Sequence, residues 1–215
     1  MKSISSKQLT VLSALIIIGT LTVLAVQSKK QKTSKNALST KSQILSLNDK
    51  KSYQVTPFPD DYIAHHFDYP VGTANANGYY NAQGFTENNH LGDDWNGTGG
   101  GNTDFGDPIY AIAHGRVKAA EDYRGGWGKI IRILHQLPNG EMVESFYAHC
   151  ETMMVKEGDW IKRGDQIATM GNADGAYLAH LHFEIRTDTS MGIGGGYSSD
   201  TEGYVDPTAF IEAHR

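Results

Sequence analysis

The run from Gly128 to Cys150 does most to limit what this chain can fold into. GKIIRILHQL (128–137) and EMVESFYAHC (141–150) are strand-like stretches joined only by Pro138-Asn139-Gly140. So short a turn between two such runs makes a hairpin, and a hairpin fixes its strands as antiparallel neighbours. The flanking sequence has the same grain. PIYAIAHGRVKAAED (108–122) breaks at Gly115, and VKEGDWIKRGDQIATMG (155–171) repeats Gly-Asp at 158–159 and 164–165 between short β-prone pieces. YLAHLHFEIR (177–186) alternates apolar Leu181, Phe183 and Ile185 with His180, His182, Glu184 and Arg186, the pattern of a half-buried strand. The chain has 24 glycines and 11 tyrosines, and no heptads or long amphipathic helical pattern. These features predict an all-β domain over 56–215, built as a compact antiparallel sheet sandwich or barrel. Tyr53 to Asn89 reads as an irregular, loop-rich entry, and GTGGGNTDFGDP (97–108) as a turn, because it lacks the Lys-Ser/Thr ending of a phosphate-binding loop.

The N-terminal part is different. Residues 1–27 contain LTVLSALIIIGTLTVLAV (9–26), preceded by Lys2 and Lys7. Eighteen helical residues span about 27 Å, just short of a bilayer core. The segment reads as a hydrophobic helix, either a signal anchor holding the chain to a membrane or a signal peptide cleaved near Val23-Leu24-Ala25. No cysteine lies near it, so lipid anchoring is not expected. Residues 28–55 are polar, lysine-rich and aperiodic, as in a linker. Charge splits at the same place: residues 1–51 carry nine lysines and one acidic residue, whereas 52–215 carry ten basic and twenty-three acidic residues. A basic tail suits an anionic envelope surface, and an acidic domain argues against nucleic acid as the partner. The lone cysteine, Cys150, excludes an intrachain disulfide and a multi-cysteine metal cluster, and reads as a small buried hydrophobe.

Three polar motifs remain. In NNHLGDDWNG, His90 and Asp94 are four apart with Gly92 between them, and Asp93 would face away. FYAHC ends on His149, and H-x-H places His180 and His182 on one face of an extended segment. Catalytic zinc takes three ligands from His and Asp/Glu and leaves one position to water, and hydrolysis needs a further group to move the proton. One carboxylate and four histidines supply three ligands with two histidines left over. Spacing alone does not say which histidines bind metal.

The ordered set HLGDD, GDPIYAIAHGRV, GWGKIIRI, FYAHC, VKEGDWIKRGDQIATMGNADG and HLHFEI resembles the lysostaphin/LytM-type zinc endopeptidases, which cut peptide cross-links of bacterial peptidoglycan. The resemblance runs over about 85–210. It implies a small antiparallel β fold with a metal-binding groove and one zinc ion per chain. It further implies His90, Asp94 and His182 as zinc ligands, with His149 and His180 as the non-ligand catalytic histidines. The implied protein is exported to the cell envelope, or secreted, and acts on peptidoglycan peptides; its protein partners are unknown. A catalytically silent wall-binding module, or an activator of another wall hydrolase, is the alternative. Two departures stand out: the loop after Asp94 is longer and richer in glycine than in short family forms, and Cys150 replaces a larger aliphatic residue.

Overall fold

The computed structural model describes residues 57–215. The hydrophobic segment 1–27 and the whole of the linker 28–55 lie outside the described residues, as does residue 56. Among the described residues no helix is long and apolar enough to cross a membrane.

The hairpin expected from Pro138-Asn139-Gly140 is the centre of the fold. Strand β5 (Lys129–Gln136) and β6 (Met142–Met153) pair antiparallel, with Gln136 opposite Met142. Gly140 supplies the left-handed residue of the turn at φ 88°. Around them lie β1 (Tyr79–Gln83), β2 (Asp93–Gly97), β3 (Pro108–Tyr110), β4 (Gly115–Asp122), β7 (Trp160–Ile161), β8 (Gln166–Met170), β9 (Leu181–Arg186) and β10 (Tyr204–Val205). All pair antiparallel in one branched sheet whose main order is β1-β2-β9-β6-β5-β4-β7. The two Gly-Asp repeats are a pair of equivalent turns. Asp159 accepts the Lys156 amide and Asp165 accepts the Lys162 amide, each from three residues back, and each turn passes through a left-handed glycine.

The branch matters most for function. One edge of β6 is shared by two strands in succession: β9 pairs with Glu144–Ala148, then β8 pairs with Cys150–Met153. Where the edge passes from β9 to β8 the sheet forks, and His149 stands at the fork. One face of the sheet packs the main core, including Ile131, Ile133, Tyr147, Leu181, Phe183 and Ile185. Cys150 belongs to this cluster, as a small buried hydrophobe, and burial pushes its thiol up to about 12. Among the described residues one α-helix, α1 (Pro207–Ala213), contributes Ile211 to the core, with Asp206 capping its start through the Ala209 amide at 2.9 Å.

Two expectations need correction. The entry segment is not wholly irregular, because β1 lies within it, pairing with β2. Its sequence, YYNAQ, lacks apolar alternation since it is an exposed edge strand with no core face to match. Nor is the 177–186 segment a half-buried strand. His180 precedes β9 and makes only an isolated bridge to Gly171, and all six residues of β9 are buried. The face carrying His182, Glu184 and Arg186 is covered by Trp127, Phe146 and the segment 189–193.

Candidate metal centre

All five residues singled out in the sequence meet at the fork. His90 enters from a distorted 3-10 turn, Glu87–Asn89, in which Asn88 and Asn89 adopt φ of 52° and 66°. Asparagine tolerates this left-handed backbone better than most residues, so the pair preceding His90 can turn it inward. Gly92 allows β2 to lie close to β9: a Cβ there would fall 2.3 Å from the Phe183 carbonyl oxygen. Asp94 then faces His182 directly across the β2–β9 ladder. Asp93 points the other way, buried, and accepts from Thr208 Oγ1 at 2.6 Å and from the Phe85 amide at 3.2 Å.

His90 Nε2 lies 2.9 Å from His182 Nδ1 and 3.3 Å from Asp94 Oδ1, and His182 Nδ1 lies 3.1 Å from the same oxygen. Tetrahedral zinc with bonds near 2.0–2.1 Å separates its ligands by about 3.3 Å, so this triangle has the right size. The donor chemistry fits too. His182 Nε2 donates to Glu184 Oε1 at 2.9 Å, which leaves Nδ1 as the lone pair facing the triangle. In the metal-free protein only a proton can relieve three such acceptors. Burial by itself would lower the His182 pKa, but hydrogen bonds with Asp94 and Glu184 override it and raise it to about 9. Burial would likewise raise Asp94, yet hydrogen bonds with His182 and His90 hold it well below the usual carboxylate range. His90 is less firmly tethered. Among the described residues its buried Nδ1 has no hydrogen-bond partner, and its ring lies 5.1 Å from that of Tyr197.

His149 reaches this space through a defect in the ladder. With strict alternation it would share the core face of Tyr147. Between the pairs Lys129–Cys150 and Ile131–Tyr147, however, β6 has one residue more than β5. This bulge, with His149 at φ 60°, re-aims the imidazole to the face of Phe146 and Ala148. Gly171 makes room behind it, since a Cβ there would fall 2.5 Å from the His149 carbonyl oxygen. The His149 and His180 rings lie 4.6 Å apart. Burial first, then the neighbouring His180 and His182, push His149 down to about 3, so it is neutral at physiological pH. His180 Nδ1 donates to the Leu178 carbonyl at 2.8 Å, so its other nitrogen, Nε2, carries the lone pair and sits 3.9 Å from Asp94 Oδ1.

Asp94, His149, His180 and His182 line a cleft of about 340 Å³ whose walls are aromatic rings set against glycines, with His90 buried behind it. A Cβ at Gly126 would fall 2.7 Å from the Tyr177 hydroxyl, and one at Gly196 would fall 2.9 Å from the Trp127 ring. Trp127 Nε1 also donates to the Gly194 carbonyl at 3.2 Å and crosses the cleft 5.2 Å from the His182 ring.

The sequence reading missed the support behind the triangle. Glu184 and Glu144, both fully buried, bind three cations. Arg186 Nε donates to Glu184 Oε2, Arg132 Nε to Glu144 Oε1 and Lys118 Nζ to Glu144 Oε2, each at 2.7 Å. The same cations bind the carbonyls of Thr189, Met191, Gly192 and Ile193, the segment leading to the cleft wall at Gly195–Tyr197. One signal could have exposed Glu184: it lies two residues beyond His182 and so shares its strand face.

The antiparallel β fold, through its forked sheet, thus brings two histidines and an aspartate close enough together that they could hold one metal ion. Comparison with known proteins gives the family. The model of Peptidase family M23 matches residues 94–193, a span that contains Asp94, His149, His180 and His182. Lipoprotein NlpD of Yersinia enterocolitica is 46% identical over 81 residues, 38% of this chain and 78% of that protein. The murein hydrolase activator NlpD of Escherichia coli (strain K12) is 44% identical over 81 residues, again 38% of this chain but only 20% of that longer protein. Lysostaphin from Staphylococcus simulans has the same fold, with a TM-score of 0.50, 23% identity, and coverage of 70% of this chain and 56% of that one. The chain belongs to peptidase family M23.

Proposed function

We propose that the protein is an exported zinc-dependent endopeptidase that hydrolyses peptide cross-links of bacterial peptidoglycan. The observation that carries this reading is the 2.9–3.3 Å triangle of His90, Asp94 and His182, with the Nε2 of His180 beside it. In this reading those three residues hold the metal, as the resemblance implied. Zinc, when bound, lowers the pKa of a water and polarises the scissile carbonyl.

The chain's own residues do the rest. Glu184 keeps the His182 proton on Nε2, so that Nδ1 can ligate. His180, its tautomer set by the Leu178 carbonyl, takes the water's proton on Nε2 and later delivers it to the leaving amine. His149, kept neutral by burial, presents an imidazole from the opposite wall to steady charge developing on the carbonyl oxygen. Trp127, Tyr177 and Tyr197 narrow the cleft and displace water from it. The basic N-terminal part, with its hydrophobic segment, places the domain at the cell envelope.

A second reading comes from the relatives named as murein hydrolase activators: the domain binds wall material and stimulates another hydrolase. The complete donor triangle favours the enzyme, because a binding role has no need of it. Zinc content of the purified full-length chain, measured with peptide release from peptidoglycan with and without chelator, separates the two. About one zinc per chain and release abolished by chelator support the enzyme. Folded protein that takes up no zinc, or that enhances another hydrolase equally with chelator present, supports the activator.

A further inference from the structure

Neither the metal triangle nor the chemistry above uses the glycine-rich loop 97–107, yet the loop is firmly built. The Gly97 amide donates to Asp104 Oδ2 at 2.8 Å, the Gly106 amide to the Met170 carbonyl at 2.8 Å, and the Tyr79 hydroxyl to Asp107 at 2.6 Å. From this frame Asn102 reaches over to Ala179, the buried residue before His180, and accepts its amide on Oδ1 at 2.7 Å. A second asparagine takes the other side of the same residue: Asn96 Nδ2 donates to the Ala179 carbonyl at 3.1 Å. Ala179 lies outside the strands, where both groups would otherwise lack ladder partners. Asn96 follows Asp94 by two residues on β2, so the face that offers the carboxylate also offers the clamp.

The peptide plane explains what this achieves. The Ala179 N–H and the Leu178 C=O belong to one rigid unit and point in opposite directions. Asn102 holds the N–H end, and the carbonyl end accepts His180 Nδ1–H at 2.8 Å. Fixing that plane therefore fixes which nitrogen of His180 carries the proton and where its Nε2 points. We propose that Asn102 and Asn96 are positioning residues for His180, and that the glycine-rich loop exists in this chain to deliver Asn102. The inference rests on the reading of His180 as the proton carrier.

The test uses the full-length, zinc-loaded chain carrying Asn102→Ala, Asn102→Asp or Asn96→Asp. Aspartate at 102 keeps the acceptor, whereas aspartate at 96 removes the donor and sets a carboxylate against a carbonyl. On a soluble cross-linked peptide fragment of peptidoglycan, Asn102→Ala and Asn96→Asp should lower kcat on the order of tenfold to a hundredfold, as expected for a misplaced catalytic group. KM and zinc content should stay near wild type, and Asn102→Asp should restore most of the rate. Wild-type turnover in Asn102→Ala, failure of Asn102→Asp to rescue, or parallel loss of zinc would each overturn the proposal. Hydrogen exchange of the peptide spanning 176–180 tests the clamp apart from the activity. Even if the wild type releases no product, exchange faster in Asn102→Ala and restored in Asn102→Asp supports the clamp, and unchanged exchange in Asn102→Ala refutes it.

Discussion

Replacing Glu184 with glutamine should weaken zinc binding and the fold together, whereas the same change at Glu144 should weaken only the fold. Both carboxylates are fully buried and both face arginines. Only Glu184 touches a donor of the triangle, taking the His182 Nε2 proton at 2.9 Å and Arg186 Nε at 2.7 Å. A glutamine has one oxygen for these two donors. If the oxygen stays with Arg186, the amide NH2 confronts His182 Nε2 and drives the ring proton to Nδ1, the atom needed for the metal. Loss of such a partner behind a metal-binding histidine costs about 10–100-fold in affinity, or about 1.4–2.7 kcal/mol. The structural cost is larger, about 3–5 kcal/mol for removing one charge from a buried pair, against a typical total stability of about 5–15 kcal/mol. Affinity must therefore be measured where both variants remain folded, by zinc competition against a chromophoric chelator in the cold, with thermal unfolding recorded in parallel. Glu144→Gln, which leaves the His182 bond alone, should lower Tm and keep the wild-type zinc affinity. Equal loss of affinity in both variants would show that the charge network acts on the metal site through stability alone and would refute the tautomer argument.

His180→Ala in zinc-loaded protein should keep the metal and lose turnover, whereas Asp94→Ala should lose both; atomic absorption and peptide release read the two outcomes. At position 149, where φ is 60°, glycine should be more stable than alanine by about 1–2 kcal/mol, reversing the usual order within a strand, and comparison of the two Tm values checks it. The pH dependence of the metal-free protein follows from two opposed groups. His182, raised from 6.5 to about 9 because its bonds with Asp94 and Glu184 outweigh burial, contributes stability that is complete below about pH 6.5 and lost as pH climbs through 9. Asp94, depressed from 3.8, contributes stability above that value and loses it as pH falls through its lowered pKa. Because zinc needs His182 deprotonated, the Tm gap between zinc-loaded and chelated protein should widen from about pH 6 to about pH 9, and a constant gap would refute the proton-for-metal exchange.

The sequence made the sheet legible wherever strands alternate and turns are short. The β5–β6 hairpin and both Gly-Asp turns lie where the pattern puts them, and the break expected at Gly115 falls just before it, at 111–114, with Gly115 opening β4. The four histidines and Asp94 also converge, which spacing could suggest only within the pairs His90/Asp94 and His180/His182; the meeting of all three motifs was implied by the resemblance. Strand β1 was illegible because an exposed edge has no core face to impose a period. The fork could not be read either, since which strand shares an edge of β6 depends on contacts between residues far apart in the chain. His149 shows the limit of local pattern most clearly. Counting by twos from Tyr147 sends it into the core, and only the extra residue in the β6 ladder returns it to the cleft.

The polar face of β9 was misjudged for a reason that bears on mechanism. Alternation cannot distinguish polar residues facing water from polar residues facing one another under a cover, because hydropathy scores both alike. Here His182, Glu184 and Arg186 face a lid of backbone carbonyls from 191–193, together with Trp127. Burying that many charged groups is costly unless each is paired, and each is. The return on that cost is orientation. A histidine ligand on an open strand would be free to choose its tautomer and rotamer, whereas His182 is held between Asp94 on one nitrogen and Glu184 on the other, and Glu184 is held in turn by Arg186. The arginine also grips the segment that leads to the cleft wall. Ligand geometry and cleft shape thus depend on the same buried charges, and a change at Arg186 should disturb metal affinity and substrate affinity together, while a change at Trp127, which lies over the His182 ring but makes no hydrogen bond to it and donates to the Gly194 carbonyl of the wall, should disturb substrate affinity more than metal affinity.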